Sequence, residues 1–178
     1  DAGARVLNLL CKGSEKHCRG QLSKTPEEHF ADIQRNVLMA VEAGLEVNVY
    51  LEDWSNGMKS SPDYVFQMVD ALKHTPIRRF MLPDTLGVLS PRETRQFVRH
   101  MVERYPDVHF DFHAHNDYDL AVANVLNAVE EGCSGIHCTV NGLGERAGNA
   151  SLASVVAVLN DMASVEISVE EKSIVSAS

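Results

Sequence analysis

Residues 110–117 read Phe110-Asp111-Phe112-His113-Ala114-His115-Asn116-Asp117, an apolar-rich run that ends in residue types able to bind a metal ion. The run is typical of a buried strand, and in a strand residues two apart point to the same side. The imidazoles of His113 and His115 can therefore converge on one point. The segment predicts a buried strand of an α/β fold whose carboxyl end carries half of a metal site.

A glycine-rich segment follows about one β/α unit later and strengthens this interpretation. Residues 141–149 read Asn-Gly-Leu-Gly-Glu-Arg-Ala-Gly-Asn, with glycine at 142, 144 and 148. Three glycines so close together suit a loop that closes over a ligand. We expect Asn149 to supply a further metal ligand from the end of the next strand.

Strand and helix patterns alternate along the chain, which predicts a parallel sheet. Two helices begin with a capping box and proline, at Thr25-Pro26-Glu27-Glu28 and at Ser90-Pro91-Arg92-Glu93. Another begins at Ser61-Pro62, and two more run from about Asp119 to Glu131 and from just after Asn149. Inward positions are predicted at Leu120, Ala123, Leu126 and Val129 in the fourth helix and at Leu152, Val155, Val156 and Leu159 in the fifth. Strands are predicted at Val6–Leu10, Val47–Leu51, Arg79–Leu82, His109–His113 and Gly135–Val140.

Polar residues follow each predicted strand, where active sites of parallel α/β folds gather. They are Ser14 and His17, Glu52 and Asp53, Asp84 and Thr85, His113 and His115, and Asn141 with residues 145–149. The pattern leaves two architectures open: a complete five-stranded, flavodoxin-like doubly wound sheet, or part of an eight-stranded barrel. Ser168-Val-Glu-Glu171 looks like the start of a helix that the chain stops too soon to finish, so we expect the barrel fragment rather than the complete sheet. We expect residues 1–178 to form one domain.

Composition excludes some classes of partner. The formal net charge is -9 and the 16 Lys and Arg residues are scattered, which argues against nucleic acid or an anionic membrane as a partner. No apolar run is long enough to cross a bilayer and no signal-like start is present, so a cytoplasmic location is expected. The spacing of Cys11, Cys18, Cys133 and Cys138 fits no zinc or redox motif; we expect reduced, structural thiols, with Cys18 the most reactive.

Four motifs together resemble a known enzyme family. They are Leu82-Pro-Asp-Thr-Leu-Gly87, His113-Ala-His-Asn-Asp117, Leu120-Ala-Val-Ala-Asn124 and the segment Asn141 to Asn149. They are similar to the 2-isopropylmalate synthase and homocitrate synthase group of the DRE-TIM metallolyases, over about Val6 to Leu159. Ala147 before Gly148 and Asn149 looks more like 2-isopropylmalate synthase, and citramalate and Re-type citrate synthases remain close rivals.

The resemblance implies strands four to eight of a (βα)8 barrel that condenses acetyl-CoA with a 2-oxo acid. It implies that His113, His115 and Asn149 are ligands of a divalent ion, which could be Zn, Mn or Mg. It also implies that the full-length protein is a homodimer. Thr85 matches a residue that hydrogen-bonds the 2-oxo acid, Glu52 matches a carboxylate with an acid/base or orienting role, and His17 falls near a histidine beside the substrate. Asn116 and Asp117 would fix the imidazoles, and Glu145 and Arg146 would serve in the loop.

One departure from the family leaves three functional classes open. The family's Asp-Arg-Glu motif, which supplies an aspartate ligand and a catalytic arginine, is absent from the sequence, so the resemblance implies an incomplete site. The chain is then part of a synthase that is inactive alone, a non-catalytic subunit that depends on another chain, or a stand-alone hydrolase or lyase on a five-stranded sheet. Glu52, Thr85, His113, His115 and Asn149 together favour the first class.

Overall fold

Strand and helix alternate in the structure as the sequence predicts. The structure is a computed structural model, and it describes residues 3–163, 165–169 and 171–174. The strands are β1 (Val6–Lys12), β2 (Glu46–Glu52), β3 (Ile77–Asp84), β4 (Phe110–Ala114) and β5 (Gly135–His137). The helices are α1 (Glu15–Gln21), α2 (Pro26–Glu42), α3 (Trp54–Ser60), α4 (Pro62–Leu72), α5 (Pro91–Arg104), α6 (Ala121–Glu130), α7 (Leu152–Met162) and α8 (Glu171–Ile174).

The order of the strands decides between the two predicted architectures. All five lie in one sheet in chain order, and the β1–β2, β2–β3 and β4–β5 pairs are parallel. A flavodoxin-like sheet has the order 2-1-3-4-5, so that alternative is wrong. Chain order is the order of strands in a (βα)8 barrel, and among the described residues β1 and β5 remain the two edges.

The chain divides into two compact units, Asp1–Pro83 and Asp84–Ser178. In the first unit Val47, Val49 and Leu51 of β2 are fully buried, and the Gln34 side-chain amide of α2 donates to the carbonyl of Ala71 in α4 at 2.8 Å. In the second unit Phe110 and Phe112 of β4 are buried. The expectation of one domain over residues 1–178 stays a prediction.

Helix starts follow the predicted signals. Thr25 and Ser90 each accept a hydrogen bond from a backbone amide three residues on, and Glu28 and Glu93 bond back to the cap amides. The two short helices α1 and α3 were not predicted. Each contains a glycine, and seven residues are too few for a helical period to stand out in sequence. Of the helix predicted from Ser168, the structure describes Glu171–Ile174, and residues 170 and 175–178 lie outside the described residues.

Two predictions about element faces and ends are wrong. Helix α6 buries Ala121, Asn124, Val125 and Ala128 rather than the predicted stripe that begins at Leu120. Small alanines let this helix approach closely, and Asn124 donates to the backbone carbonyl of Leu89 at 2.8 Å. Strand β5 ends at His137 instead of Val140, and Val140 belongs to a short 3-10 helix, Val140–Gly142, in which Asn141 and Gly142 have φ values of 57° and 68°.

Two surface assignments also differ from the sequence expectations. The helical pattern around His29 predicts a surface position, but the residue is 6% exposed, and its Nε2 accepts a hydrogen bond from the Lys12 backbone amide at 3.1 Å. Cys18, predicted to be the most reactive thiol, is fully buried, and burial raises its pKa. All four cysteines are free thiols, as expected.

None of the helices in the described part of the chain combines the length and the apolar character needed to cross a membrane.

Candidate functional site

Strand β4 brings His113 and His115 together as their spacing predicts. The two Nε2 atoms lie 3.2 Å apart, and the rings meet edge to face with centroids 4.9 Å apart. Two nitrogens bound to one metal ion, each about 2.1 Å from it, would be separated by a distance close to the 3.2 Å observed here. The pair of nitrogens therefore fits a shared cation.

The surroundings keep both imidazoles neutral. Burial, followed by the neighbouring His115 and His137, lowers the pKa of His113 to about 4. Burial, with the positive charge of Arg146, also lowers the pKa of His115. A neutral imidazole carries the lone pair that a metal ion needs, so at neutral pH both rings are in the form that binds a cation.

Asn149 reaches β4 because the loop that follows β5 folds back on itself. Its backbone amide donates to the carbonyl of Gly142 at 2.9 Å, and it forms an antiparallel bridge with His115. On either side of Asn149, the backbone amide of Asn116 donates to the carbonyl of Gly148, and the backbone amide of Ala150 donates to the carbonyl of Ala114. These bonds fix Asn149 against the end of β4, next to the second histidine.

The carboxamide oxygen of Asn149 is available to bind a ligand. Its Oδ1 is buried and has no hydrogen-bond partner among the described residues, while its Nδ2 donates to the carbonyl of Leu143 at 3.5 Å. Buried carbonyl oxygens in folded proteins nearly always have a partner. Amide oxygens and imidazole nitrogens are both donors to divalent ions, so these residues fit a divalent cation. Among the described residues there is no group of three or more His, Cys, Asp or Glu side chains that could hold a metal ion by itself.

Arg146 ties the loop that carries Asn149 to the two preceding strand exits. Its Nε and Nη2 donate to the two carboxylate oxygens of Asp117 at 2.7 and 2.8 Å, and Nη2 also donates to the carbonyl of Thr85 at 2.9 Å. These hydrogen bonds lower the pKa of Asp117. Arg146 Nη1 also lies 3.5 Å from Glu145 Oε2, but the Glu145 side chain is 79% exposed, so Asp117 is the main partner.

The loop after β3 presents Thr85 from a rigid base. The carboxylate of Asp84 is fully buried and accepts the backbone amides of Val88 and Leu89, both at 3.0 Å. From the sequence, Asp84 is recognisable only as a polar residue at a strand exit. A carboxylate followed closely by a turn glycine, here Gly87 with φ 59°, is the signal that could have revealed this loop-fixing role.

Asn116 serves the start of helix α6. Its Oδ1 accepts from the Ala121 amide and its Nδ2 donates to Asp119, both at 3.0 Å. Nδ1 of His115 is buried and has no hydrogen-bond partner among the described residues, so neither Asn116 nor Asp117 bonds to that atom. The role of these two residues in fixing the imidazoles stays a prediction.

The first unit has its own polar cluster, which contains the other two candidates. Glu52 forms an ion pair with the ammonium group of Lys12, the residue opposite it in the β1–β2 register. His17 Nδ1 lies 3.5 Å from Asp53 Oδ2, which also accepts from Ser14 at 2.7 Å. Lys12 was missed by sequence analysis, since its partner becomes evident only when the strand register is known.

Comparison with known proteins gives a consistent family match. The HMGL-like family model matches residues 1–178. The chain is 36% identical to the homocitrate synthase of Sulfolobus acidocaldarius over 86% of its own length and 32% of that protein. It is 35% identical to a probable 2-isopropylmalate synthase of Methanopyrus kandleri over 98% of its length and 34% of that protein, and 34% identical to a putative (R)-citramalate synthase of the same organism over 93% and 32%.

A solved HMG-CoA lyase from Bacillus subtilis superposes with a TM-score of 0.83 at 22% identity, over 98% of this chain and 61% of that one. At that identity the likeness concerns the fold alone. The chain spans about a third of the length of the curated relatives it matches.

Proposed function

The chain belongs to the HMGL-like family, and on that premise we propose that it is the metal-holding part of an acyltransferase that condenses acetyl-CoA with a 2-oxo acid. The observation that carries the proposal is the convergence of two neutral imidazoles beside Asn149, whose buried Oδ1 has no hydrogen-bond partner among the described residues. The names of the relatives, all synthases, support this class of reaction.

His113, His115 and Asn149 would hold the cation. A divalent ion there would act as a Lewis acid toward the carbonyl of the 2-oxo acid. Burial keeps the two imidazoles unprotonated, so both are already in the form that binds a cation. Zn, Mn and Mg are all compatible with this set of nitrogen and oxygen donors.

Thr85 is proposed to hydrogen-bond the 2-oxo acid through its hydroxyl. Arg146 holds the backbone carbonyl of Thr85 and Asp84 fixes the turn that follows, so the hydroxyl is carried on a loop with little freedom. Such positioning of a substrate contact is a general source of rate enhancement.

Glu52 and His17 of the first unit are proposed as the acid/base or orienting carboxylate and as a substrate contact. In the proposed reaction a base takes a methyl proton from acetyl-CoA, the resulting carbanion attacks the keto carbon, and water then cleaves the thioester and releases CoA. Both roles rest on the resemblance of these positions to the family.

The 2-oxo acid of a 2-isopropylmalate-type synthase is the first substrate proposed, because Ala147 before Gly148 and Asn149 resembles that group of the family. The relatives carry three synthase names at nearly equal identity, so a panel of 2-oxo acids is needed to rank the substrates.

Calorimetric titration of Mn²⁺ or Zn²⁺ tests the metal site. We expect His113→Ala and Asn149→Ala each to weaken binding by at least about tenfold, while His100→Ala, an exposed helical histidine, leaves it unchanged. A 2-oxo acid that chelates the ion should strengthen binding in the wild type.

Binding that is absent, or that is indifferent to both site variants, would contradict the proposal. We also expect this chain by itself to release no CoA from acetyl-CoA and any 2-oxo acid of the panel. Steady CoA release would show that no further part is needed.

A further inference from the structure

A buried carboxylate in the second unit has no part in the proposed reaction. Asp111 on β4 is 1% exposed, and its two oxygens contact different histidines: Oδ1 lies 2.7 Å from His109 Nε2 and Oδ2 lies 3.2 Å from His137 Nε2. A carboxylate only accepts hydrogen bonds, so each histidine presents an Nε2–H group to it. Two charge-assisted bonds offset the cost of burying the carboxylate, and the three residues form one network.

The sequence builds this network through strand alternation and one glycine. Asp111 and His113 lie two residues apart in β4 and point to the same side of the strand, and His109 just before the strand contacts Asp111. Asp111 pairs with Gly135 and His113 pairs with His137 in the β4–β5 register. A Cβ at position 135 would lie 2.1 Å from Asp111 Oδ1, so only glycine leaves space for the carboxylate.

The network ends at a candidate metal ligand. The ring of His137 meets the ring of His113 edge to face, with centroids 5.6 Å apart and an interplanar angle of 61°. A ring held by a hydrogen bond to Asp111 cannot rotate freely, and its edge limits the orientations open to His113.

We propose that Asp111 and His137 are positioning residues, which fix the imidazole of His113 so that its Nε2 faces the divalent cation. This inference rests on the proposed function for the identity of the bound group. His137 acts on the ion through His113, in the way that outer residues orient metal-bound histidines in other proteins.

Cobalt binding tests the proposal, with His109→Gln as a matched control for His137→Gln. Both substitutions keep an N–H donor for Asp111 and remove a ring, but only His137 is part of the ring contact with His113 described above. We expect Asp111→Asn and His137→Gln to weaken Co²⁺ binding about 10- to 100-fold and to change the Co²⁺ absorption spectrum. His109→Gln should change the affinity by less than about threefold.

A metal-free measurement separates this inference from the proposed function. Long-range ¹H–¹⁵N spectra of the apo protein report the ring nitrogens of His113, and we expect them to shift in His137→Gln but not in His109→Gln. If the wild type binds no Co²⁺, the proposed function fails and the spectra alone decide the positioning role. Unmoved His113 signals in folded His137→Gln, or equal losses of affinity in the two glutamine variants, would overturn it. Should Asp111→Asn fail to fold, the two glutamine variants still give the decision.

Discussion

The carboxamide of Asn149 lies against a position that has no side chain. A Cβ at Gly144 would lie 2.6 Å from Nδ2 and 2.9 Å from Oδ1 of Asn149, closer than such atoms approach in real structures. The backbone at Gly144 does not have a positive φ, so its glycine is required by space rather than by conformation. The glycine therefore leaves the carboxamide the room that it occupies beside His115.

Gly144→Ala should displace the Asn149 side chain and weaken binding of Mn²⁺ by about tenfold, with little effect on the free energy of unfolding. The control is Gly20→Ala in helix α1, where an added Cβ meets nothing within 4 Å. Calorimetry and urea unfolding measure the two quantities. Unchanged affinity in Gly144→Ala would mean that Asn149 does not bind the ion or that its loop adjusts freely.

Single residues also show where sequence reasoning stops. The spacing of His113 and His115 predicts their convergence, because strand periodicity acts locally. The helical pattern around His29 predicts a surface position, because the Lys12 amide that bonds to the ring lies on β1 and reaches it only after folding. Asp111 gave no sequence signal for the same reason, since His137 comes from another strand.

The start of helix α5 is fixed by hydrogen bonds between residues that are close together in the sequence. At α5 the Ser90 hydroxyl accepts the Glu93 amide at 3.3 Å, while the Glu93 carboxylate accepts both the backbone amide and the hydroxyl of Ser90 at 2.9 and 2.7 Å. The motif was recognisable in sequence because all of its parts lie within four residues. The buried face of α6 was not recognisable in the sequence, because it depends on how closely the helix packs.

Ser90→Ala should lower the free energy of unfolding by about 1 kcal/mol, since the Glu93 amide loses its cap and the Glu93 carboxylate loses the hydrogen bond from the Ser90 hydroxyl. Ser154→Ala, at an exposed position inside α7, is the matched control and should be neutral or slightly stabilising. Urea unfolding at pH 7 compares the two. Equal values for both variants would show that the cap of α5 contributes nothing.

Across the molecule, buried histidines link stability to pH. Burial lowers the pKa of His29, His113 and His115 below their ordinary value of 6.5, and that of His113 falls to about 4. The unfolded chain therefore binds more protons than the folded one once the pH falls below 6.5. The stability that these neutral rings contribute is complete above pH 6.5 and is lost progressively toward pH 4.

The free energy of unfolding of the metal-free protein should therefore be lower at pH 5 than at pH 7. His29→Gln should reduce this difference in the free energy of unfolding, because the glutamine side chain can accept a hydrogen bond from the Lys12 amide but does not titrate. His100→Gln, at an exposed site, should leave it as in the wild type. Urea unfolding at several pH values gives the slopes, and identical slopes in the wild type and His29→Gln would contradict the assignment.

The fit between Gly135 and the carboxylate of Asp111 has a consequence for how this sequence can evolve. Any side chain at 135 collides with Asp111 as it stands, whereas loss of the carboxylate leaves glycine in place without conflict. Substitutions at the two positions are thus ordered in time: a lineage must first replace Asp111 by something smaller before it can accept a residue other than glycine at 135. Descendants that keep the aspartate inherit the glycine with it.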